Sequence, residues 1–240
     1  TMVNEQVLTG KVSFRRFFER RFFRIFPPLS FMVAVMTVYA YFIVPFTKAQ
    51  DFFIQQARAA LFSYGNFFFM FRKLNYFVQS GDITFFLHTW SLGVEEQFYI
   101  ILPLLMLLLL RNTFSLRIVL WISLVVSLIA CVWITQRSQP AAFYLFPFRA
   151  WELLAGVILA IEVQRRPFKH VAFLSYLGIT LILASIAFIP AGAQFPGWHA
   201  LFPVLGTVLI IANGQQKNIV NRTLASPAPV AIGLISYSLY

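Results

Sequence analysis

An all-α, polytopic integral membrane helix bundle is the fold class this sequence predicts, and three observations predict it. Of the 240 residues, 60% are hydrophobic and only 11% are charged, whereas a soluble domain carries about a quarter. Mean hydropathy is +0.77. Several apolar runs approach the roughly 20 residues a helix needs to cross a bilayer, and the alternating pattern of a β-barrel is absent. About seven or eight membrane segments are expected on that length criterion.

The net charge of +11, with Phe interleaved among Arg near the start, invites a nucleic-acid reading. A membrane supplies the simpler account, because cytoplasmic loops are enriched in Lys and Arg; no nucleic-acid partner is expected. The single Cys131 lies inside an apolar run, so an internal disulfide is excluded and the redox compartment is not readable. No cleavable signal peptide is visible. Thr1 is not a usual initiator, and the chain stops at Ile235-Ser-Tyr-Ser-Leu-Tyr240 as an apolar segment begins, so a fragment is expected.

Residues 1–26 form a basic segment. On a helical wheel Phe14, Phe18, Phe22, Ile25 and Phe26 share one face, and Arg16, Arg20 and Arg24 step along the other. That pattern predicts an amphipathic helix lying in the interface, its arginines toward the anionic headgroups of membrane lipids. Pro27-Pro28 suits the first turn of a new helix, so residues 29–44 are the first expected complete span and 27–240 the membrane domain. Residues 51–71 are aromatic yet carry Gln55, Gln56, Arg58, Ser63 and Asn66. They either cross the membrane or belong to a re-entrant or outer-face segment within 45–87. Further spans are expected at 92–110, 116–135, 143–162, 171–190 and 198–213, with another starting near 230. Pro103 is expected to kink its helix.

Loop charge favours the arrangement in which 51–71 does not cross. Residues 1–26, 111–117, 163–170 and 214–229 then all face the cytoplasm, and they hold 13 of the 19 lysines and arginines. Under that arrangement His88–Glu96 and Arg149–Glu152 lie toward the outer face at one depth.

The stretch most in need of explanation is His88-Thr-Trp-Ser-Leu-Gly-Val-Glu-Glu-Gln-Phe-Tyr99, which runs into residues 100–110 without a polar side chain. Ionisable groups at the mouth of so apolar a segment are functional candidates by default. In a helix His88, Ser91, Glu95 and Tyr99 line one face, and Glu96 lies about 100° further round, toward a different neighbour. The second polar cluster is Arg149-Ala-Trp-Glu152, whose charges stand three residues apart and can pair along a helix. Gly156, four residues on, would leave room for a close helix crossing. Arg149 either holds an anionic group or fixes a carboxylate of the first cluster, or else the pair is structural.

His88 has the chemistry of a general base, and equally that of an interfacial hydrogen-bonding group. No second His or Cys stands at metal-ligand spacing, since His170 and His199 are on other loops, so no metal is expected. No GxSxG turn accompanies Ser91. The arginine stripe is either a topology determinant or a clamp for the phosphates of a cytoplasmic cofactor. Phe195-Pro-Gly-Trp-His199 reads as an interfacial loop with a Trp anchor, without assigned chemistry.

Taken together, Arg20-Arg21-Phe-Phe-Arg24-Ile-Phe-Pro27, the His88–Tyr99 run, Arg149-Ala-Trp-Glu152 with Gly156, Phe195-Pro-Gly197 with Leu201-Phe-Pro-Val-Leu-Gly206, and Ile235-Ser-Tyr-Ser-Leu-Tyr240 resemble the acyltransferase 3 family of bacterial membrane acyltransferases. The resemblance covers essentially the whole chain and rests chiefly on the His88–Tyr99 run. It implies a multi-pass protein of the bacterial inner membrane with about ten helices. It would move an acyl group, often acetyl, from acyl-CoA or acetyl-CoA to a hydroxyl of a glycan such as O-antigen, peptidoglycan or exopolysaccharide. The family's proposed catalytic histidine lies on a first helix that precedes this sequence. His88, Glu95, Glu96, Arg149 and Glu152 are thus expected to form a supporting site. Arg20, Arg21 and Arg24 are expected to meet the donor's phosphates, and Trp90, Ser91, Gln97, Tyr99 and Trp151 the substrate. The alternatives are a glycan or lipid transporter and a non-catalytic partner subunit; acceptor, acyl length and oligomeric state are not legible.

Overall fold

The computed structural model describes residues 14–43, 48–72, 84–109, 113–165, 171–189, 192 and 194–236. The basic residues 1–13, the loop residues 166–170 and the closing residues 237–240, all used in the sequence argument, lie outside these. Every regular element among the described residues is helical. The chain divides into two compact units, residues 1–104 with 235–240, and residues 105–234. Three stretches, Phe14–Ile43, Leu116–Thr135 and Gln139–Val163, are long and apolar enough to cross a membrane.

The first unit begins with α1, Phe14–Ile43, a helix of 30 residues and about 45 Å. It runs unbroken through Pro27 and Pro28, where a new helix was expected to start. The physical reason is local. Each proline's fixed φ suits a helix, and the backbone N–H bonds it omits would fall at Phe23 and Arg24, on an exposed stretch of the helix. The buried stripe also differs from the expected aromatic face. It is Phe17, Ile25, Leu29, Val33 and Ala40, while Phe18, Phe22 and Phe26 are exposed.

Residues 51–71 resolve into α2, Lys48–Leu61, and α3, Gly65–Phe71, with a corner between them. At 14 and 7 residues, each falls short of the length of a span. The corner is tight: Ser63 has φ +54°, and the Tyr64 N–H donates to the Ala59 carbonyl. Small residues on α2, Ala57 and Ala60, let Ile25, Leu29 and Val33 of α1 pack close in one apolar cluster with Phe53, Phe86 and Leu92. A short 3₁₀ turn, Leu87–Thr89, then leads into α4, Trp90–Leu109, which continues past the buried Pro103.

Two contacts seat the start of α4 on the corner. Gln56, fully buried, accepts a hydrogen bond from the Phe86 N–H through Oε1. Gly93 lies so close that a Cβ there would stand 2.7 Å from both Asn66 Oδ1 and the Ser63 carbonyl oxygen.

In the second unit α5, Thr113–Thr135, packs antiparallel to α7, Phe146–Arg165, with the short α6, Gln139–Tyr144, between them. Pairings at both ends fix the direction. Arg117 binds Glu162 Oε1 through Nε at 2.8 Å and Nη2 at 2.6 Å, and Ser127 meets Pro147 and Trp151. The helices α8, Ala172–Phe188, and α9, Leu201–Ala212, form a second close pair. Their crossing is made by Gly178 and Gly206, where an added Cβ would stand 2.7 Å and 2.6 Å from the partner glycine's carbonyl oxygen. Gly156 does not play the crossing role expected of it: it is exposed, with nothing within 4 Å of an added Cβ. Beyond α9, the buried Asn213 accepts the Val171 N–H, and Asn221 donates to the Asn213 carbonyl, before α10, Ile219–Leu224, and α11, Pro227–Ile235.

Candidate functional site

The polar stripe of α4 is built as its spacing requires. Glu95 and Tyr99 stand one turn apart, and the Tyr99 hydroxyl donates to Glu95 Oε2 at 2.9 Å. Arg21 of α1 completes the set, its guanidinium carbon 3.8 Å from the centre of the Tyr99 ring and 5.4 Å from that of Phe17. A cation over a phenol ring draws density from the hydroxyl and strengthens its donation to a carboxylate. Arg21, Tyr99 and Glu95 therefore form one electrostatic chain from α1 to α4.

Beside that chain lies a groove of about 420 Å³. Phe18, Phe22 and Phe26 of α1 line it, with Leu61, Phe62 and Ser63 of the α2–α3 corner, and Glu96, Tyr99 and Ile100 of α4. Phe22 and Phe26 stack at 4.8 Å, which sets the aromatic wall. Glu96, turned away from Glu95 as the helical step predicts, is hydrogen-bonded by the Ser63 side chain. The groove is thus apolar along its length, with a cation and a carboxylate among its lining.

Other members of the stripe have different positions. His88 is half-buried in the 3₁₀ turn before α4, and its carbonyl accepts the Ser91 hydroxyl at 3.4 Å. Gln97 donates through Nε2 to Asn66 Oδ1 at 3.2 Å and so ties α4 to α3. Trp90 is buried. Of the three arginines expected to meet donor phosphates, Arg20 and Arg24 are exposed on α1, while Arg21 is half-buried and turned into the groove.

The cluster of the second unit stands at the start of α7. Arg149 Nη2 lies 2.9 Å from Glu152 Oε2, and their side chains are 15% and 20% exposed. Glu152 Oε1 is buried without a hydrogen bond among the described residues. The guanidinium is flanked by two rings, Phe143 at 5.5 Å and Phe195 at 6.0 Å. The turn of α7 that carries it is held from α5: the Ser127 hydroxyl donates to the Pro147 carbonyl at 2.6 Å and accepts the Trp151 N–H at 3.1 Å. Those two backbone groups are the pair an α-helix joins directly. Trp151 itself is 2% exposed, in a cluster with Cys131 and Ala200.

Sequence reasoning missed three of these participants. Phe195 carried a motif but no role, yet it covers Arg149; nothing in the sequence signals that pairing. Gln139 donates through Nε2 to the carbonyls of Gly192 and Phe195, and Ser127 sits in an otherwise apolar helix, where a lone hydroxyl is the available signal. Among the described residues, no three His, Cys, Asp or Glu side chains converge as metal ligands.

A family model described as an acyltransferase domain matches residues 7–240. The chain is 27% identical over 242 residues to a peptidoglycan O-acetyltransferase of Listeria monocytogenes, covering 94% of this chain and 39% of that protein. It is 29% identical over 226 residues to a putative membrane-bound transacylase of Komagataeibacter xylinus, covering 94% and 57%. An O-acetyltransferase of Staphylococcus aureus is 28% identical over 261 residues, covering 100% and 42%. The chain thus spans between about two fifths and three fifths of the length of these relatives. No solved structure matches it significantly.

Proposed function

This chain belongs to the acyltransferase domain family, and from that premise we propose that it is the membrane part of an O-acyltransferase. It moves an acyl group, acetyl in the simplest case, from acyl-CoA to a hydroxyl of a cell-surface glycan, with peptidoglycan, O-antigen and exopolysaccharide as the acceptor classes. Two relatives named O-acetyltransferase and one named transacylase support the reaction class. The protein works in the bacterial inner membrane as a multi-pass bundle.

The observation that carries the reading is the Arg21–Tyr99–Glu95 chain beside the aromatic groove. Acyl transfer needs an apolar channel for the acyl and pantetheine portion, and positive charge or hydrogen-bond donors where the thioester oxygen gains negative charge. The groove supplies the first, and Arg21 the second. The exposed Arg20 and Arg24 are suited to the donor's phosphates, which arginine grips bidentately. In the reaction the acceptor oxygen attacks the thioester carbonyl carbon while a base takes its proton. The C–S bond then breaks, and the thiolate leaves to be protonated as the free thiol. In the first unit Glu95 and Glu96 order the polar groups for these events, with His88 as a further proton-handling candidate before α4; in the second unit the Arg149–Glu152 pair is assigned to the same reaction.

Membranes containing the full-length protein, supplied with isotope-labelled acetyl-CoA, test the reading. Labelled, alkali-labile acetate should appear on the surface glycan and should disappear in Glu95→Gln at unchanged membrane abundance. Glycan that changes its side of the membrane without gaining acetate would identify a transporter instead. A cell whose glycan is indifferent to Glu95→Gln would remove the carboxylate from the chemistry.

A further inference from the structure

The environment of Arg149 is held by one small element. Gln139 and Phe143 stand one turn apart on α6. Phe143 supplies one of the two rings flanking the guanidinium, at 5.5 Å. Gln139 reaches across to a turn 56 residues away in sequence, donating to the Phe195 carbonyl at 3.1 Å and to the Gly192 carbonyl at 3.2 Å. Phe195, so held, supplies the second ring at 6.0 Å, and its ring lies 6.5 Å from that of Phe143. The same turn is fastened to α5, where the Gly197 N–H donates to Thr135 Oγ1 at 3.2 Å. Two aromatic faces around a guanidinium exclude water and limit its rotation, while the Glu152 carboxylate fixes its remaining direction.

We propose that Gln139 is a positioning residue for the transfer reaction: by gripping the carbonyls of Gly192 and Phe195 it keeps the Phe195 ring over Arg149 and so sets the direction of the guanidinium. This rests on the reading that Arg149 belongs to the transfer site. The side-chain chemistry is specific. A primary amide brings two N–H bonds on one nitrogen to two carbonyls. A carboxylate at the same position has only acceptors and repels both. An alkyl side chain of the same length fills the space but leaves the carbonyls without a donor.

The test is steady-state kinetics of the full-length protein in nanodiscs, with acetyl-CoA and a soluble glycan acceptor, and with rates normalised to folded, monodisperse protein. Gln139→Leu and Gln139→Glu should lower kcat about 10- to 100-fold, the range expected when a catalytic constellation is displaced by about 1 Å, and change the donor KM little. Phe195→Leu should reproduce the loss and Phe195→Tyr should restore most of the rate. The double variant Gln139→Leu/Phe195→Leu should be no slower than the slower single, because both act through one ring. A purely structural role would lower the melting temperature and leave the normalised kcat intact, and that result overturns the proposal. So does an additive double variant. If Gln139→Leu does not accumulate, the Phe195→Leu and Phe195→Tyr pair decides. Arg149→Lys separates the two levels. Full activity in Arg149→Lys removes Arg149 from the site and the underlying reading with it. An inactive Arg149→Lys beside a fully active Gln139→Leu overturns the positioning role alone.

Discussion

Arg21 and Tyr99 lie face to face across two helices, the guanidinium carbon 3.8 Å from the ring centre, and the phenol they share with Glu95 makes three residues one unit. A half-buried cation–π contact is worth up to about 2 kcal/mol. Arg21→Ala should therefore lower kcat about tenfold or more, whereas Arg20→Ala, at an exposed position one residue away, should leave kcat within about threefold and act on the KM for acetyl-CoA. Equal effects of the two variants on kcat would mean that the stripe acts as a diffuse charge and not through Arg21.

Tyr99→Phe keeps the ring beneath Arg21 and deletes the hydroxyl that donates to Glu95. Transfer should slow by about 10- to 100-fold, and because a hydrogen bond to a charged group also contributes about 1.5–3 kcal/mol to stability, the melting temperature should fall with it. Tyr99→Leu, which removes the ring as well, should be slower still. Initial rates on purified protein distinguish the two variants.

Gly93, inside the most distinctive stretch of the chain, is predicted to be a packing residue. An added methyl would stand 2.7 Å from two oxygens of the α2–α3 corner, and overpacking of this kind costs about 1–3 kcal/mol. Gly93→Ala should lower the melting temperature in detergent and reduce membrane abundance. An unshifted melting curve would show that the corner gives way.

The two glycine environments of the second unit make opposite predictions. Gly178→Ala forces α8 away from the Gly206 carbonyl and should destabilise by about 1–3 kcal/mol. Gly156→Ala meets nothing within 4 Å and should stabilise its helix by up to about 1 kcal/mol. Thermal unfolding of both variants checks the assignment of the helix crossing.

Much of the bundle was legible because a membrane span is a matter of length and hydropathy, which the sequence states directly. The span expected at 116–135 matches α5, and the one expected at 171–190 is found as the shorter apolar helix α8. Helical spacing also anticipated the Arg149–Glu152 pair and the shared face of Glu95 and Tyr99. What escaped were facts about what lies opposite. The resemblance grouped Arg20, Arg21 and Arg24, although a step of about 100° separates Arg21 from Arg20 and turns it to the Tyr99 ring of α4. Residues 51–71 looked like one doubtful span because hydropathy does not register a left-handed residue such as Ser63, where the chain turns. Gly156 and Gly178 look alike in a sequence, and only the neighbouring helix tells them apart. Phe195 meets Arg149, and Gln139 meets Phe195, through contacts far apart along the chain, which periodicity does not encode.

The hydroxyl of Ser127 makes the start of α7 depend on its neighbour α5. It engages the Pro147 carbonyl and the Trp151 N–H, the two backbone groups that close the first turn of α7. In a bilayer, where backbone polar groups find no water, such a bridge is worth more than at a surface. The turn that presents Arg149 is therefore shaped jointly by two helices: α7 alone would join these two groups directly, and the Ser127 hydroxyl comes between them. Docking of α5 therefore sets the local geometry of the turn from which Arg149 projects, through one hydroxyl on the neighbouring helix.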